Sequence, residues 1–467
     1  MRTARIVAGI GALALLGAGG FVGIPALLGP GPYEPPPYQA PPRKRNPAKG
    51  PNLLLVTLDT TRADRLGCYG NDLVATPRLD AFAASGARFE NAFCPMPETD
   101  PSHASMMTGL EPFAHGVMEN GWRLFPDRTT LAEVMRASGY TTYAAVSVEH
   151  LGPKLGFDQG FDLFDAKFAT HERLGGDTLR LVETWLDDLA ARPFFLWVHW
   201  FDAHRDQGGK PPRYQPPAEY LPDAATYSRY AARDLPEEVA RYDAQIRYLD
   251  DLFGRLLDGL EARGALSNTV VAVLADHGET LHELIDRFQY GYTHGDYLYD
   301  HQVRVPFLLA GPGIPEGRVV KAQVRVMDLL PTLLSLVGLE DRVPSDLDGT
   351  SVAGWIGEDG PDLPVFVQRD FRTKYERVHD VAFRDGGRKL ILSAENGPEF
   401  FDLSADPLEA TNLLGGGVGP PEVAPMRERL EAWSRKLEAV GEQTIDREMM
   451  EALRKLGYVD ATIEKNR

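Results

Sequence analysis

Asn52-Leu53-Leu54-Leu55-Val56-Thr57-Leu58-Asp59 decides the fold class. Seven uncharged residues without a turn former have the length and texture of a strand buried on both faces, and such strands belong to parallel sheets covered by helices. Asp59 then sits at the carboxyl end of that strand. The same arrangement recurs along the chain. Phe194 to Trp200 (FFLWVHW) is followed by Asp202 and His204, and Thr269 to Ala275 (TVVAVLA) delivers Asp276-His277-Gly278-Glu279. Thr141 to Val146 and Val305 to Ala310 are further strand-like runs. Between them lie helical stretches at Thr76 to Gly86, Thr129 to Ser138, Asp177 to Ala190 and Pro236 to Arg263. Strands alternating with helices predict an α/β fold, a mostly parallel sheet flanked by helices. Ligands in such sheets bind beyond the carboxyl ends of the strands, so Asp59, Asp202, His204, Asp276 and His277 are expected to share one site.

A second stretch carries the candidate nucleophile. In Thr99-Asp100-Pro101-Ser102-His103-Ala104-Ser105-Met106-Met107-Thr108-Gly109, Asp100 suits a helix cap, Pro101 the first turn and Gly109 the left-handed residue that ends the helix. Thr99 is thereby placed at a helix N-terminus, where the dipole and free N–H groups favour an alkoxide and an anionic ester beside it.

Composition limits the partners. The formal charge is -18, and residues 1–50 carry six Lys or Arg against one Glu, which makes the rest of the chain more acidic still. Such a body has no general attraction for nucleic acid, and an anionic substrate needs a local positive site, most simply metal ions. The only cysteines, Cys68 and Cys94, rule out a disulfide-rich scaffold and a thiolate zinc cluster, and their spacing does not say whether they pair.

Arg2 and Arg5 precede an uncharged run from Ile6 to Leu28. As a helix it spans about 35 Å, enough to cross a hydrocarbon core of about 30 Å. Residues 1–28 are therefore expected to be a transmembrane anchor, with a cleaved signal peptide as the competing reading. The body is expected in the cell envelope, outside the cytoplasm, or secreted if the N-terminus is removed. Residues 29–51 hold nine prolines and predict an extended, semi-rigid linker. A catalytic domain over 52–362 follows. From 363 to 467 the texture changes to short alternating runs, with Asp385-Gly386-Gly387 as a hairpin turn, and predicts a small antiparallel C-terminal subdomain with a helical tail.

Several segments resemble the sulfatase family of the alkaline phosphatase superfamily. They are NLLLVTLDTTRADRLGCYG (52–70), Thr99 to Gly109, ADHGE (275–279), His294-Gly295 with Tyr299 and Val303 to Phe307, and FDLSADPLEATNL (401–413). The resemblance implies that Asp59, Asp276 and His277 are metal ligands and that Thr99 occupies the nucleophile position. In true sulfatases that position is a cysteine or serine converted to formylglycine, with proline two places on and arginine four places on. Pro101 fits, but Thr99 and His103 depart from the pattern, and Thr60 stands where a second aspartate is common. Threonine nucleophiles are known in the zinc-dependent phosphodiesterase and phosphoethanolamine-transferase branches. There an asparagine in a stretch like HGVMENG contacts the phosphoryl oxygens, which matches Asn120; a turn residue before Gly121 is the other reading.

The resemblance also pairs His204 with a histidine that touches substrate or binds a second ion, and His294 with a histidine ligand of two-metal phosphatases. His150 falls near the lysine and histidine motif of arylsulfatases but off its spacing, and stays outside the expected core site. The expected chemistry is metal-dependent hydrolysis of a sulfate or phosphate ester, with phosphoesters favoured. Thr99, Asn120 and His204 would be catalytic. Asp59, Thr99, Asp276, His277, Asp202, His204 and His294 would hold one or two divalent ions, zinc or manganese before calcium or magnesium. The substrate would be a sulfated or phosphorylated glycan, lipid or small molecule. Alternatives are headgroup transfer onto an envelope lipid or glycan, and a non-catalytic glycan-binding homologue.

Overall fold

A computed structural model describes residues 34–44, 46–168, 170–204, 216–372, 377–415, 419–441 and 443–456. The expected anchor or signal peptide at 1–28 lies outside the described residues. No helix among the described residues is long and apolar enough to cross a membrane.

The strands are β1 (Asn52–Leu58), β2 (Ala87–Phe93), β3 (Thr141–Ala145), β4 (Leu163–Asp165), β5 (Phe194–Trp200), β6 (Thr269–Leu274), β7 (Arg304–Ala310) and β8 (Arg318–Arg325). They form one sheet in the order β4-β3-β5-β1-β6-β7-β2-β8. β1 lies at its centre, parallel to β5 through Val56 opposite Val198 and to β6 through Val56 opposite Val273. Its leucines and Val56 are fully buried, and each such side chain contributes about 1.5–3 kcal/mol by leaving water. Only β7 runs against the others, antiparallel to both β6 and β2. The fold class is thus a mostly parallel sheet flanked by helices, as its uncharged runs predict.

The sequence reading passed over β2, β4 and β8, whose apolar residues are interrupted by charged or polar ones, as in ARFENAF. β2 matters most, because its carboxyl end leads directly into the Thr99 helix. That helix runs Thr99–Thr108 and ends on Gly109 at φ 71°, the left-handed residue expected. Its start differs from expectation. Glu98 is the N-cap and Thr99 already lies in the first turn, so Asp100 is no cap; its carboxylate instead turns toward Gly121 and His150. The stretch read as one helix at 177–190 is two, Gly175–Glu183 and Leu186–Ala190.

The C-terminal residues form an antiparallel sheet, β9 (Val365–Arg372), β10 (Arg377–Asp385), β11 (Arg388–Ser393) and β12 (Gly397–Asp402), ordered β12-β11-β10-β9. Asp385 pairs with Arg388 across the Gly386-Gly387 turn. Helices Val423–Ser434 and Arg447–Leu456 follow. Residues from Pro35 to Arg467 belong to one compact unit. The proline-rich segment accordingly lies against the body from Pro35 onward instead of spanning free to residue 51. Tyr38 donates to Asp188, Lys44 pairs with Asp162 at 2.7 Å, and Ala48 N–H reaches Gly139 O. Proline fixes an extended backbone but does not prevent its carbonyls and side chains from docking.

Candidate active site

The strand ends converge as the parallel sheet requires. Asp59 follows β1, Asp276 and His277 follow β6, and the chain after β2 brings Thr99 to the same edge. All four residues are fully buried. Thr99 Oγ1 lies 3.4 Å from Asp59 Oδ2 and 3.4 Å from His277 Nε2. Ligand atoms of Asp59, Asp276 and His277 lie within 4.8 Å of one another.

The hydrogen bonds around these residues fix which atoms point inward. Gly278 O accepts from His277 Nδ1 at 2.9 Å, which leaves the Nε2 lone pair turned toward Thr99. Asp276 Oδ1 accepts from the N–H groups of Thr60 and His277, whereas Asp276 Oδ2 accepts no hydrogen bond from the described residues. Asp59 Oδ2 takes the Thr99 hydroxyl and His199 Nε2–H, and among the described residues Asp59 Oδ1 accepts none. The Thr60 hydroxyl is also buried without a partner among the described residues, on a β-branched residue held at φ 51°. Such a backbone costs energy that the surroundings must impose, and it clusters at functional sites.

Two buried carboxylates with inward, unpartnered oxygens form a destabilised pair unless a cation lies between them. Burial pushes the Asp59 carboxyl up to about 7, and burial together with the nearby Asp59 charge raises that of Asp276. The donor set of two carboxylates, an imidazole Nε2 and hydroxyls therefore fits a divalent cation.

Two residues that sequence reasoning missed support the site from below. His199 lies within the apolar β5 run, and its Nδ1 accepts from Ser147 N–H, so its proton is on the Nε2 that faces Asp59. His103, noted only as a replacement for arginine, closes a chain of bonds. Trp197 Nε1–H donates to Thr57, the Thr57 hydroxyl meets His103 Nε2 at 3.1 Å, and His103 Nδ1 donates to Thr99 O at 2.9 Å. Burial lowers both histidines to about 3, so they act as neutral hydrogen-bonding groups. A histidine inside an apolar strand was the only signal for His199, and a core residue gives the same signal.

His294 and His204 join the site. The His277 and His294 ring centroids are 4.4 Å apart and those of His204 and His294 are 4.9 Å apart. His204 stacks on Phe201 at 4.2 Å, and His294 Nδ1 meets Glu279 Oε2 at 3.2 Å. Burial pushes His204 well below its ordinary value and His294 down to about 4, so both rings are neutral.

Asp202 does not join them. Both of its carboxylate oxygens accept from Gly175 N–H, at 3.0 and 2.9 Å, at the N-terminus of the helix Gly175–Glu183. A helix end offers a buried carboxylate N–H groups and a favourable dipole, and Asp202 takes that place. Asp202, expected among the metal ligands, is thus turned to the Gly175 N–H and not to His204 and His294. Among the described residues, no second group of three such donors meets the spacing of the first.

Asn120 lies beside the start of the Thr99 helix. Its Oδ1 accepts from Asp100 N–H at 2.8 Å and its own N–H donates to Glu98 Oε2 at 3.1 Å, so it bonds to the residues on both sides of Thr99. With Oδ1 an acceptor, the side-chain NH2 remains a donor. Gly121 N–H and His150 Nδ1 both meet the Asp100 carboxylate. His150, left outside the core site by its spacing, therefore borders it through Asp100.

A family model described as Sulfatase matches residues 51–339. The chain belongs to the sulfatase family. It is an ester hydrolase by kinship. An ulvan-active sulfatase of Formosa agariphila is 29% identical, over 88% of this chain and 85% of that protein. Human arylsulfatase A is 27% identical over 84% and 89% of the two chains, and a choline-sulfatase of Rhizobium meliloti 26% over 80% and 84%. In fold, this sulfatase is similar to BT4656, solved with its substrate D-glucosamine-2-N, 6-O-disulfate, at a TM-score of 0.68 and 20% identity, covering 84% of this chain and 98% of that one. It is also similar to the phosphonate monoester hydrolase of Agrobacterium radiobacter, at 0.63 and 21%, covering 84% and 95%.

Proposed function

We propose that this sulfatase-family protein hydrolyses an anionic sulfate or phosphate ester with Thr99 as the attacking group and one divalent cation held by Asp59, Asp276 and His277. The observation that carries this reading is the position of Thr99 Oγ1, 3.4 Å from both a carboxylate and an imidazole of that cluster, in the first turn of a buried helix. Bound there, zinc or manganese lowers the pKa of a nearby hydroxyl and offsets charge on the ester oxygens.

The chain's own groups do the rest. Asp59 Oδ2 receives the Thr99 proton, Thr99 Oγ1 bonds to phosphorus or sulfur, and the bond to the ester's alcohol oxygen breaks, that oxygen leaving with the bonding pair as an alkoxide that takes a proton from solvent. Asn120 donates its side-chain amide to an equatorial oxygen as charge builds there. Neutral His204 donates to the ester from the solvent side, while His294, its Nδ1–H taken by Glu279, presents an Nε2 lone pair there; these two and Asn120 are 6%, 3% and 6% exposed, whereas Thr99 is fully covered. Water then releases the covalent Thr99 ester.

Phosphate esters suit this site better than sulfate esters. A threonine ester must be opened by a second displacement, and the more highly charged phosphoryl group gains more from the cation and the neutral donors around it. Kinship favours sulfate esters, with a saccharide named for the ulvan-active sulfatase and for BT4656. Turnover of p-nitrophenyl phosphate, bis-p-nitrophenyl phosphate and p-nitrophenyl sulfate, each with chelator and with zinc or manganese restored, separates the two. The expected result is metal-dependent phosphoester cleavage with a modified Thr99 peptide in mass spectra of the quenched enzyme. Turnover that leaves Thr99 unmodified and survives Thr99→Ala would remove it from the mechanism.

A further inference from the structure

The C-terminal segment from Gln443 to Leu456 touches the site from a distance of more than 300 residues in sequence. Gln443 Nε2 donates to Gly116 O and to Arg123 O, each at 3.0 Å, while Gln443 Oε1 accepts from Arg123 N–H at 2.9 Å. One side-chain amide thus ties together both ends of the loop 116–123. Asn120 and Gly121 lie inside that loop.

Apolar contacts press on the same loop. Gly121 is left-handed at φ 90°, and a Cβ built there would sit 2.7 Å from Leu453 Cδ1 and 3.3 Å from Ile445 Cδ1. The tail side chains therefore occupy the space that any other residue at 121 would need. The helix Arg447–Leu456 buries Met449, Ala452, Leu453 and Leu456, and it packs against the turn Glu149–Leu151 that carries His150. Glu448 pairs with Lys154 at 2.7 Å beside that turn.

Both elements under the tail end on one carboxylate. Gly121 N–H and His150 Nδ1 meet Asp100, and Asn120 Oδ1 meets Asp100 N–H, one residue from Thr99. We infer that the C-terminal segment is a positioning clasp for the active site, with Gln443 fixing the loop that aims the Asn120 amide at the reacting ester. This rests on Asn120 serving as proposed above. The physical reason is reach. Asn120 projects from a loop, not from the sheet, and a loop held only by its own bonds wanders by more than the tolerance of a transition-state donor. A misplacement of about 1 Å costs about 100-fold in rate.

The test combines Gln443→Ala with Asn120→Ala in the full chain, using p-nitrophenyl phosphate and p-nitrophenyl sulfate as probes. Gln443 is half-buried at the surface, so its removal leaves the core intact. Gln443→Ala should lower kcat about tenfold, within the range such misplacement produces, with KM unchanged. In the Asn120→Ala background the same change should do nothing further, because the donor it aims is already gone. Amide exchange at Gly121 should speed up in Gln443→Ala without any substrate present. Normal exchange at Gly121, or an equal fall in kcat in both backgrounds, overturns the clasp. Unchanged kcat in Gln443→Ala beside a crippled Asn120→Ala overturns the clasp alone and leaves the role of Asn120 standing. Unchanged kcat in Asn120→Ala overturns that role and the clasp with it.

Discussion

Thr99 bears the greatest weight of any single side chain, and its two neighbours at 3.4 Å make its hydroxyl the group to remove first. Thr99→Ala should abolish turnover with an unchanged circular dichroism spectrum, whereas Thr99→Ser keeps the attacking oxygen and should retain measurable activity. Loss of both would point to packing of the methyl group instead. Asn120→Ala should lower kcat about 100- to 1,000-fold, the range for one oxyanion donor, with little change in KM. A pure KM effect would make Asn120 a ground-state contact.

Glu111 offers a different residue-scale prediction, outside the site. It is buried, its Oε2 accepts no hydrogen bond from the described residues, and burial pushes its carboxyl up to about 8 despite Arg325. A carboxyl raised on folding contributes stability below its ordinary pKa, and that stability is lost as pH rises toward the folded value. Glu111→Gln should therefore resist thermal unfolding better than wild type at about pH 9 and equally at about pH 4. Melting curves across that range check it, and identical curves for the two proteins would refute it.

At the scale of elements, the four-stranded sheet is welded to the active-site side of the body by buried ions. Lys389 in β11 has a fully buried side chain and pairs with Asp300 at 2.8 Å and Glu409 at 2.7 Å, while Arg384 in β10 lies 3.4 Å from Asp300. Asp300 begins the short helix Asp300–Val303 that enters β7, a few residues after His294. Removing one partner of a buried pair strands the others without compensation, so Lys389→Ala should cost about 3–5 kcal/mol in urea unfolding. Replacing Lys389, Asp300 and Glu409 together by Met, Asn and Gln should recover most of that loss. A small loss for Lys389→Ala would mean that water reaches the cluster. β9 contributes a second tie, since Gln368 N–H donates to Pro95 O in the chain leading to Thr99.

For the whole molecule, the cation is the expected link between folding and activity. The oxygens of Asp59 and Asp276 that face inward without partners are paired only when a cation is bound, so binding should favour the folded state. At about 100 times its dissociation constant, one ion adds about 2.7 kcal/mol. Zinc or manganese should raise the melting temperature of chelator-treated protein at a stoichiometry of one per chain, and Asp276→Asn should abolish the shift. A stoichiometry of two would restore a second site around His204 and His294 despite the loss of Asp202.

The sheet class was legible in the chain, and so was the meeting of several polar residues at one sheet edge. Strands such as NLLLVTL and TVVAVLA are uncharged because both faces are buried, and a parallel sheet puts whatever follows them on one edge, so Asp59, Asp276 and His277 were legible together. The helix signals of 99–109 added Thr99, and the family resemblance added Asn120. What the tertiary structure alone decided was direction. Asp202 follows a strand as Asp59 does, yet it turns to the Gly175 N–H because a helix happens to start there. His199 sits in an apolar strand like any core residue, and only the neighbouring strand β1 makes Asp59 its partner. β7 reads like its neighbours but runs the other way, because hydrophobicity along a strand carries no sign of its direction. The hold of Gln443 on the Asn120 loop was invisible for the same kind of reason. A single amide meeting three backbone groups leaves no periodic trace in the sequence, and only packing brings residue 443 to residues 116 and 123.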